Sequence, residues 1–181
     1  VGVAGSGSSL KNCKNKAAIK GCGDYVGGIA ASGSSVTIEK CLNSGDIVNT
    51  GKPMSYNYCT GGITGGVSSN STITLCGNTG TVSSTLKRAG GIVGSLNGTV
   101  TKCFNTGDIT GIFALGGIVG SINAKGAKVE NCYNLGDVAC ITPTKEFSDT
   151  NAKGVGGVVG DATSTSYTVT LTNCYNAGNV T

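Results

Sequence analysis

The sequence predicts an all-β fold: a parallel β-helix, or β-solenoid, of about six coils with three short strands in each. Three observations predict it. A cysteine–asparagine–glycine signature recurs six times in fixed register, a glycine-pair signature precedes it in each copy, and the stretches between them vary in length. Units too short to fold alone bury a continuous core when stacked coil on coil, with variable loops between fixed strands.

Composition excludes the main alternatives. Of 181 residues 32 are glycine, two are proline, none is tryptophan or histidine, and 12% are charged. Val, Ile and Leu are too frequent for a disordered linker. Good helix formers never cluster at a 3.6-residue period, which argues against long helices. A β-sandwich would need Asn-Gly or Asp-Gly hairpin turns, and these are rare. Net charge is +4, with Lys11, Lys14, Lys16 and Lys20 in the first repeat and Arg88 the only arginine. That pattern reads as a solvated edge, so no nucleic-acid partner is expected. No apolar run reaches the eighteen or so residues of a membrane helix, so no membrane insertion is expected. No signal peptide is visible, and the chain starts and stops within the pattern, at Val1–Gly5 and Asn179–Thr181. A longer natural protein with further domains is expected.

The elements follow in order within each repeat. The first strand is the glycine run, clearest as Gly90-Gly91-Ile92-Val93-Gly94, Gly116-Gly117-Ile118-Val119-Gly120 and Gly156-Gly157-Val158-Val159-Gly160. The second ends at the cysteine (Cys13, Cys41, Cys76, Cys103, Cys132, Cys174) and carries an aliphatic residue three positions earlier (Leu10, Ile38, Ile73, Val100, Val129, Leu171). A corner follows, with asparagine two residues after each cysteine: Asn15, Asn43, Asn78, Asn105, Asn134 and Asn176. Coils repeat at about 4.8 Å, so these asparagines are expected to hydrogen-bond in a ladder, as stacked amides do. Glycine two residues further on, replaced only by Ala17, is expected to supply a positive φ. The third strand carries Ile19, Ile47, Val82, Ile109, Val138 or Val180. Alternation turns this residue, the cysteine and the earlier aliphatic inward. The chain therefore divides into one domain of six repeats, at about 1–25, 26–59, 60–88, 89–115, 116–155 and 156–181. The usual crossover rule makes the helix right-handed.

The run Gly-Ile-Val-Gly at 91–94 and 117–120, with Gly-Val-Val-Gly at 157–160, resembles the GLUG repeat. Gly2–Gly5 and Gly62–Gly65 match more loosely, and Gly28-Ile29-Ala30-Ala31 has lost its last glycine. The resemblance implies a bacterial surface or secreted protein. GLUG repeats occur in adhesin-like proteins and beside the catalytic domain of immunoglobulin A metallopeptidases, where they look like spacer or interaction modules.

Each candidate site has a structural reading beside it. One cysteine per coil, with no CxxC pair, reads as a small packed side chain and not as a metal site. Stacked in register, these thiols keep their β-carbons too far apart for disulfides. Cys22, Cys59 and Cys140 fall outside the register, and Cys22 with Cys59 is the most plausible bridge. Asp46, Asp108 and Asp137 suggest calcium, but Thr81, Ala18 and Asn179 replace them in other coils, so turn capping is the better reading. Thr72/Thr74, Thr99/Thr101 and Thr170/Thr172 resemble an ice-binding array that Lys128/Glu130 and Thr37/Glu39 interrupt. Phe104, Tyr133 and Tyr175 follow the cysteine in three consecutive coils, which predicts an aromatic strip for cross-coil stacking or for contact with glycan or protein. Without histidine there is no Ser-His or Cys-His dyad and no HExxH, and without glutamine no thioester.

These readings converge on a non-enzymatic module with no cofactor, extracellular or at the cell surface. Its expected role is a stalk or spacer. The alternative is a binding module for host-cell or extracellular-matrix protein or glycan, acting through the aromatic strip or the loop at 141–154.

Overall fold

Every paired strand in the structure runs parallel to its neighbour, and every partner lies one repeat away. The computed structural model describes residues 1–51, 58–141, 154–162 and 168–181. Among these residues all regular structure is β, arranged in four sheets that climb through the repeats. The architecture is a parallel β-helix.

Each coil contributes to the four sheets in turn. A lead-in sheet takes the residues before and into the glycine pair: Tyr25–Gly27, Cys59–Gly61, Lys87–Gly90, Phe113–Gly116 and Val155–Gly156. A broad sheet takes the strand after the glycine pair and the one before the cysteine. These two are separate in most coils but fuse into single strands at Thr64–Thr74 and Val93–Thr101. An asparagine sheet is six two-residue strands deep, among them Gly77–Asn78, Phe104–Asn105 and Tyr133–Asn134. An aliphatic sheet of five strands, such as Val82–Ser84 and Ile109–Gly111, closes the coil.

The lead-in and asparagine sheets are additions to the three expected strands, and the expected glycine-run strand breaks at the pair, with Gly91 and Ile92 lying between Lys87–Gly90 and Val93–Thr101. The lead-in sequences, Tyr-Val-Gly, Cys-Thr-Gly, Lys-Arg-Ala-Gly and Phe-Ala-Leu-Gly, share little beyond the final glycine. Coil-to-coil backbone pairing holds them, and that does not depend on side-chain identity.

The inward register is as expected. Ile38, Ile73, Val100 and Val129 are fully buried, and so are Ile47, Val82, Ile109 and Val138. Burial falls off in the outer coils, where Leu10 is half-buried and Leu171 exposed. The core has two parts. The larger gathers the arch residues Ile29, Ile63, Ile92 and Ile118 with the cysteine column and the broad-sheet aliphatics. The smaller sets Val26, Ala89 and Leu115 of the lead-in sheet against the aliphatic sheet.

The asparagine column and the second glycine of each pair meet between the two. A β-carbon on Gly28, Gly62, Gly91, Gly117 or Gly157 would fall under 3.0 Å from the side chain of Asn43, Asn78, Asn105, Asn134 or Asn176 in the same coil. In the first four it would equally strike the carbonyl oxygen of the next coil's glycine. The two sequence signatures are thus two walls of one contact.

Candidate functional site

The ladder of amides is continuous. Each Nδ2 donates to Oδ1 of the next coil's asparagine, from Asn15 to Asn43, Asn78, Asn105, Asn134 and Asn176, at 2.7–2.8 Å. The other Nδ2 proton closes the corner locally, on the carbonyl two residues ahead, as from Asn105 to Gly107 at 2.7 Å. Four of the six asparagines are completely buried, and both amide protons of each are used. Fully satisfied networks of this kind stiffen a fold and fix its register.

The glycine after the asparagine serves a different purpose from the one expected. Gly45, Gly80, Gly107, Gly136 and Gly178 do not have positive φ. A β-carbon on each would instead press into the carbonyl oxygen of residue 17, 45, 80, 107 or 136 in the coil before. Ala17 is the member that carries a β-carbon. The left-handed turn lies five residues earlier, just before each cysteine, at Asn12, Lys40, Leu75, Lys102, Asn131 and Asn173, with φ of 51 to 55°.

That turn gives the cysteine a second task. Each thiol donates to the carbonyl two residues before it, across the left-handed residue, from Cys13 to Lys11 at 3.4 Å through Cys103 to Thr101 at 3.3 Å. The same contact recurs at Cys41, Cys76, Cys132 and Cys174, at 3.2–3.3 Å. Cysteine packs as a small apolar side chain and also supplies a weak donor at a strained corner. Burial raises the Cys41 thiol to about 11. Cys103 is raised by its thiol neighbours Cys132 and Cys76 together with burial.

The remaining cysteines are free as well. Cys22 is exposed whereas Cys59 is buried and pairs in register with Tyr25, so the expected Cys22–Cys59 bridge does not form in this structure. Cys140 is exposed and its thiol reaches the Ile112 carbonyl at 3.2 Å.

The acidic corner residues link neighbouring coils instead of capping their own turns. The Asp46 carboxylate accepts the Thr81 amide at 2.9 Å, Asp108 accepts Asp137 at 3.0 Å, and Asp137 accepts Asn179 at 2.7 Å. The Thr81 amide holds Asp46 below the usual carboxylate range. On the broad sheet Thr37, Thr72, Thr99, Lys128 and Thr170 form one outward row. Lys11, Glu39, Thr74, Thr101, Glu130 and Thr172 form another, with Lys11 bound to Glu39 at 3.0 Å.

The aromatic strip lies on the outside of the asparagine sheet. Lys14, Leu42, Gly77, Phe104, Tyr133 and Tyr175 are register partners in succession. The Phe104 and Tyr133 rings stack with centroids 5.5 Å apart and planes 13° from parallel. Phe104 also covers Gly77, where a β-carbon would run into its ring. Exposure then rises along the strip, to 41% at Tyr133 and 58% at Tyr175, with Leu135 exposed close by in sequence. The expected loop at 141–154 falls mostly on 142–153, outside the described residues.

The sequence reading did not single out Tyr25 or Asn97. Both line grooves beside the broad sheet, Tyr25 one of them and Asn97 two. The available signal was spacing. Four residues separate Val67 from Thr72, two separate Leu96 from Thr99, and five separate Ile122 from Lys128, although these flanking residues are register partners.

Residues 86–110 match the family model of the GLUG motif. The matched segment runs from Leu86 through the glycine arch to Cys103, Asn105 and the aliphatic Ile109, about one full coil. The chain is a repeat module that carries the GLUG motif. No curated protein and no solved structure matches it.

Proposed function

We propose that this chain is a non-catalytic, stiff structural module of a secreted or cell-surface bacterial protein, holding neighbouring domains at a fixed separation. The unbroken asparagine ladder carries the reading. It ties six coils with side-chain bonds at every step, and the glycine columns beside it leave no room for a β-carbon. Six coils at about 4.8 Å span roughly 29 Å, so the module offers rigidity and lateral surface more than reach. The GLUG motif supports the bacterial surface setting.

A second reading rests on the strip. Phe104 and Tyr133 are stacked, and Tyr133 and Tyr175 remain exposed on a rigid sheet, which suits a contact with host-cell or matrix protein. Single-molecule pulling with surface-binding assays separates the two. A spacer unfolds at high force in one or a few cooperative steps and adheres neither to host cells nor to matrix proteins. A chain that yields coil by coil at low force contradicts the spacer. Adhesion lost on Tyr133→Ala/Tyr175→Ala substitution favours the strip.

A further inference from the structure

We propose that the outward face of the broad sheet, from Gly66 under the ring of the lead-in residue Tyr25 across Asn97 to Lys125, binds a short oligosaccharide. The site begins with the spacing differences above. Thr64–Thr74 and Val93–Thr101 pair along their length, but the first has Ser68, Ser69 and Asn70 where the second has Asn97 alone. Asn70 sits in the left-handed region at φ 61°. On the other side of Asn97, the segment from Asn123 to Ala127 loops out between Ile122 and Lys128. Bulges re-aim side chains beside functional sites. Here the bulge and the neighbouring loop wall a groove of about 230 Å³ with Asn97 and Gly98 in its lining.

Asn97 supplies the chemical demand. Its Oδ1 is buried and accepts no hydrogen bond among the described residues. Such an acceptor costs free energy, and it calls for a donor. Asn97 also lines a second groove of about 370 Å³, which runs along Ser34, Ser68 and Ser95 to Tyr25. The Tyr25 ring lies over Gly66, where a β-carbon would stand 2.7 Å from it, and the residue is 37% exposed.

An aromatic face, a row of hydroxyls, a buried amide acceptor and one ammonium group match the surface of a sugar chain. Its C–H face packs on the ring and its hydroxyls exchange hydrogen bonds with the row. Other ligand classes fit less well. An extended peptide needs an open sheet edge, whereas Asn97 lies mid-sheet, and a phosphate ligand would call for more than the single Lys125. Both fused strands, of eleven and nine residues, hold the site rigid before any ligand arrives. This face belongs to the broad sheet and is independent of the aromatic strip on the asparagine sheet.

An array of defined glycans tests the proposal, probed with wild type, Asn97→Ala, Tyr25→Ala and the Tyr133→Ala/Tyr175→Ala double variant, with each variant's Tm recorded. Wild type should bind a defined subset, with acidic and neutral sugars compared for the contribution of Lys125. Asn97→Ala and Tyr25→Ala should each weaken that binding tenfold or more, and the double variant should keep it. Asn97→Ala should melt at or above wild type, since it deletes an unpaired acceptor. A folded wild type that binds no glycan, binding that survives both substitutions, or a Tm lowered in Asn97→Ala would overturn the assignment.

Discussion

Gly91 lies against the side chain of Asn105, fourteen positions further along the same coil, with no space for a β-carbon between them. The same β-carbon would strike the Gly117 carbonyl in the next coil. One glycine therefore sets both how thin the coil is and how closely the next coil stacks.

Gly91→Ala should accordingly be among the most damaging single changes. Both obstructing groups are fixed, one as backbone and one as a ladder amide, so relief requires moving a whole coil. A loss of about 3 kcal/mol or more is expected in urea unfolding, at the upper end for overpacking. Gly126→Ala is the control: its φ is +74° with open space around it, and the expected cost is about 1–2 kcal/mol from the left-handed backbone alone.

Asn105→Ala removes an acceptor for Asn78 and the donor to Asn134 and Gly107. Buried partners left unpaired cost about 1–3 kcal/mol each, so roughly 3 kcal/mol is expected in total. Asn15→Ala, half-buried at the first rung, should cost about 1 kcal/mol. Equal losses at both positions would show that the rungs act independently of their place in the ladder.

The thiols should divide by exposure. Cys22 and Cys140 should react with a thiol reagent in the native protein, while Cys41, Cys59, Cys76, Cys103 and Cys132 should react only after denaturation. Cys103→Ser keeps a donor for the Thr101 carbonyl and should be better tolerated than Cys103→Ala, with a difference of about 0.5–1 kcal/mol. The reverse order would mean that packing alone selects cysteine.

Alkaline pH should destabilise the fold through the buried thiols Cys41 and Cys59. Burial raises Cys41 to about 11 from the ordinary 9.0, and burial raises Cys59 as well. Unfolded thiols ionise first, so this stabilisation is complete below pH 9 and is lost as pH rises towards 11. Asp46 and Glu39 act in the opposite sense, being held low by the Thr81 amide and by Lys11. Their contribution is present above the ordinary carboxylate range and disappears on acidification. Thermal melts from pH 3 to 11 should trace a plateau with two falling limbs, and Cys41→Ala should flatten the alkaline one.

Much of this architecture could be read from spacing. The cysteine, asparagine and inward aliphatic positions fall in the predicted register because each recurs with a fixed offset and its environment repeats coil by coil. Three features were hidden for physical reasons. The lead-in sheet lacks a side-chain signature because backbone bonds define it. The left-handed corner is occupied by Asn, Lys or Leu, so glycine does not mark it. Asn97 becomes notable only when its strand is placed between neighbours that carry extra residues at the same point, a comparison that one repeat cannot offer.

The central claim is that buried amides link the coils in a continuous chain. Side-chain amide NMR of the folded protein measures it most directly, through hydrogen exchange and scalar couplings across the hydrogen bonds from each Asn Nδ2 to the Cγ of the next coil's asparagine. Asn43, Asn78 and Asn105 should show such couplings and side-chain protons protected almost to the level of global unfolding, with Asn15 exchanging faster. Side-chain protons that exchange at the rate of free amides, with no coupling from Asn105 to Asn134, would contradict the account.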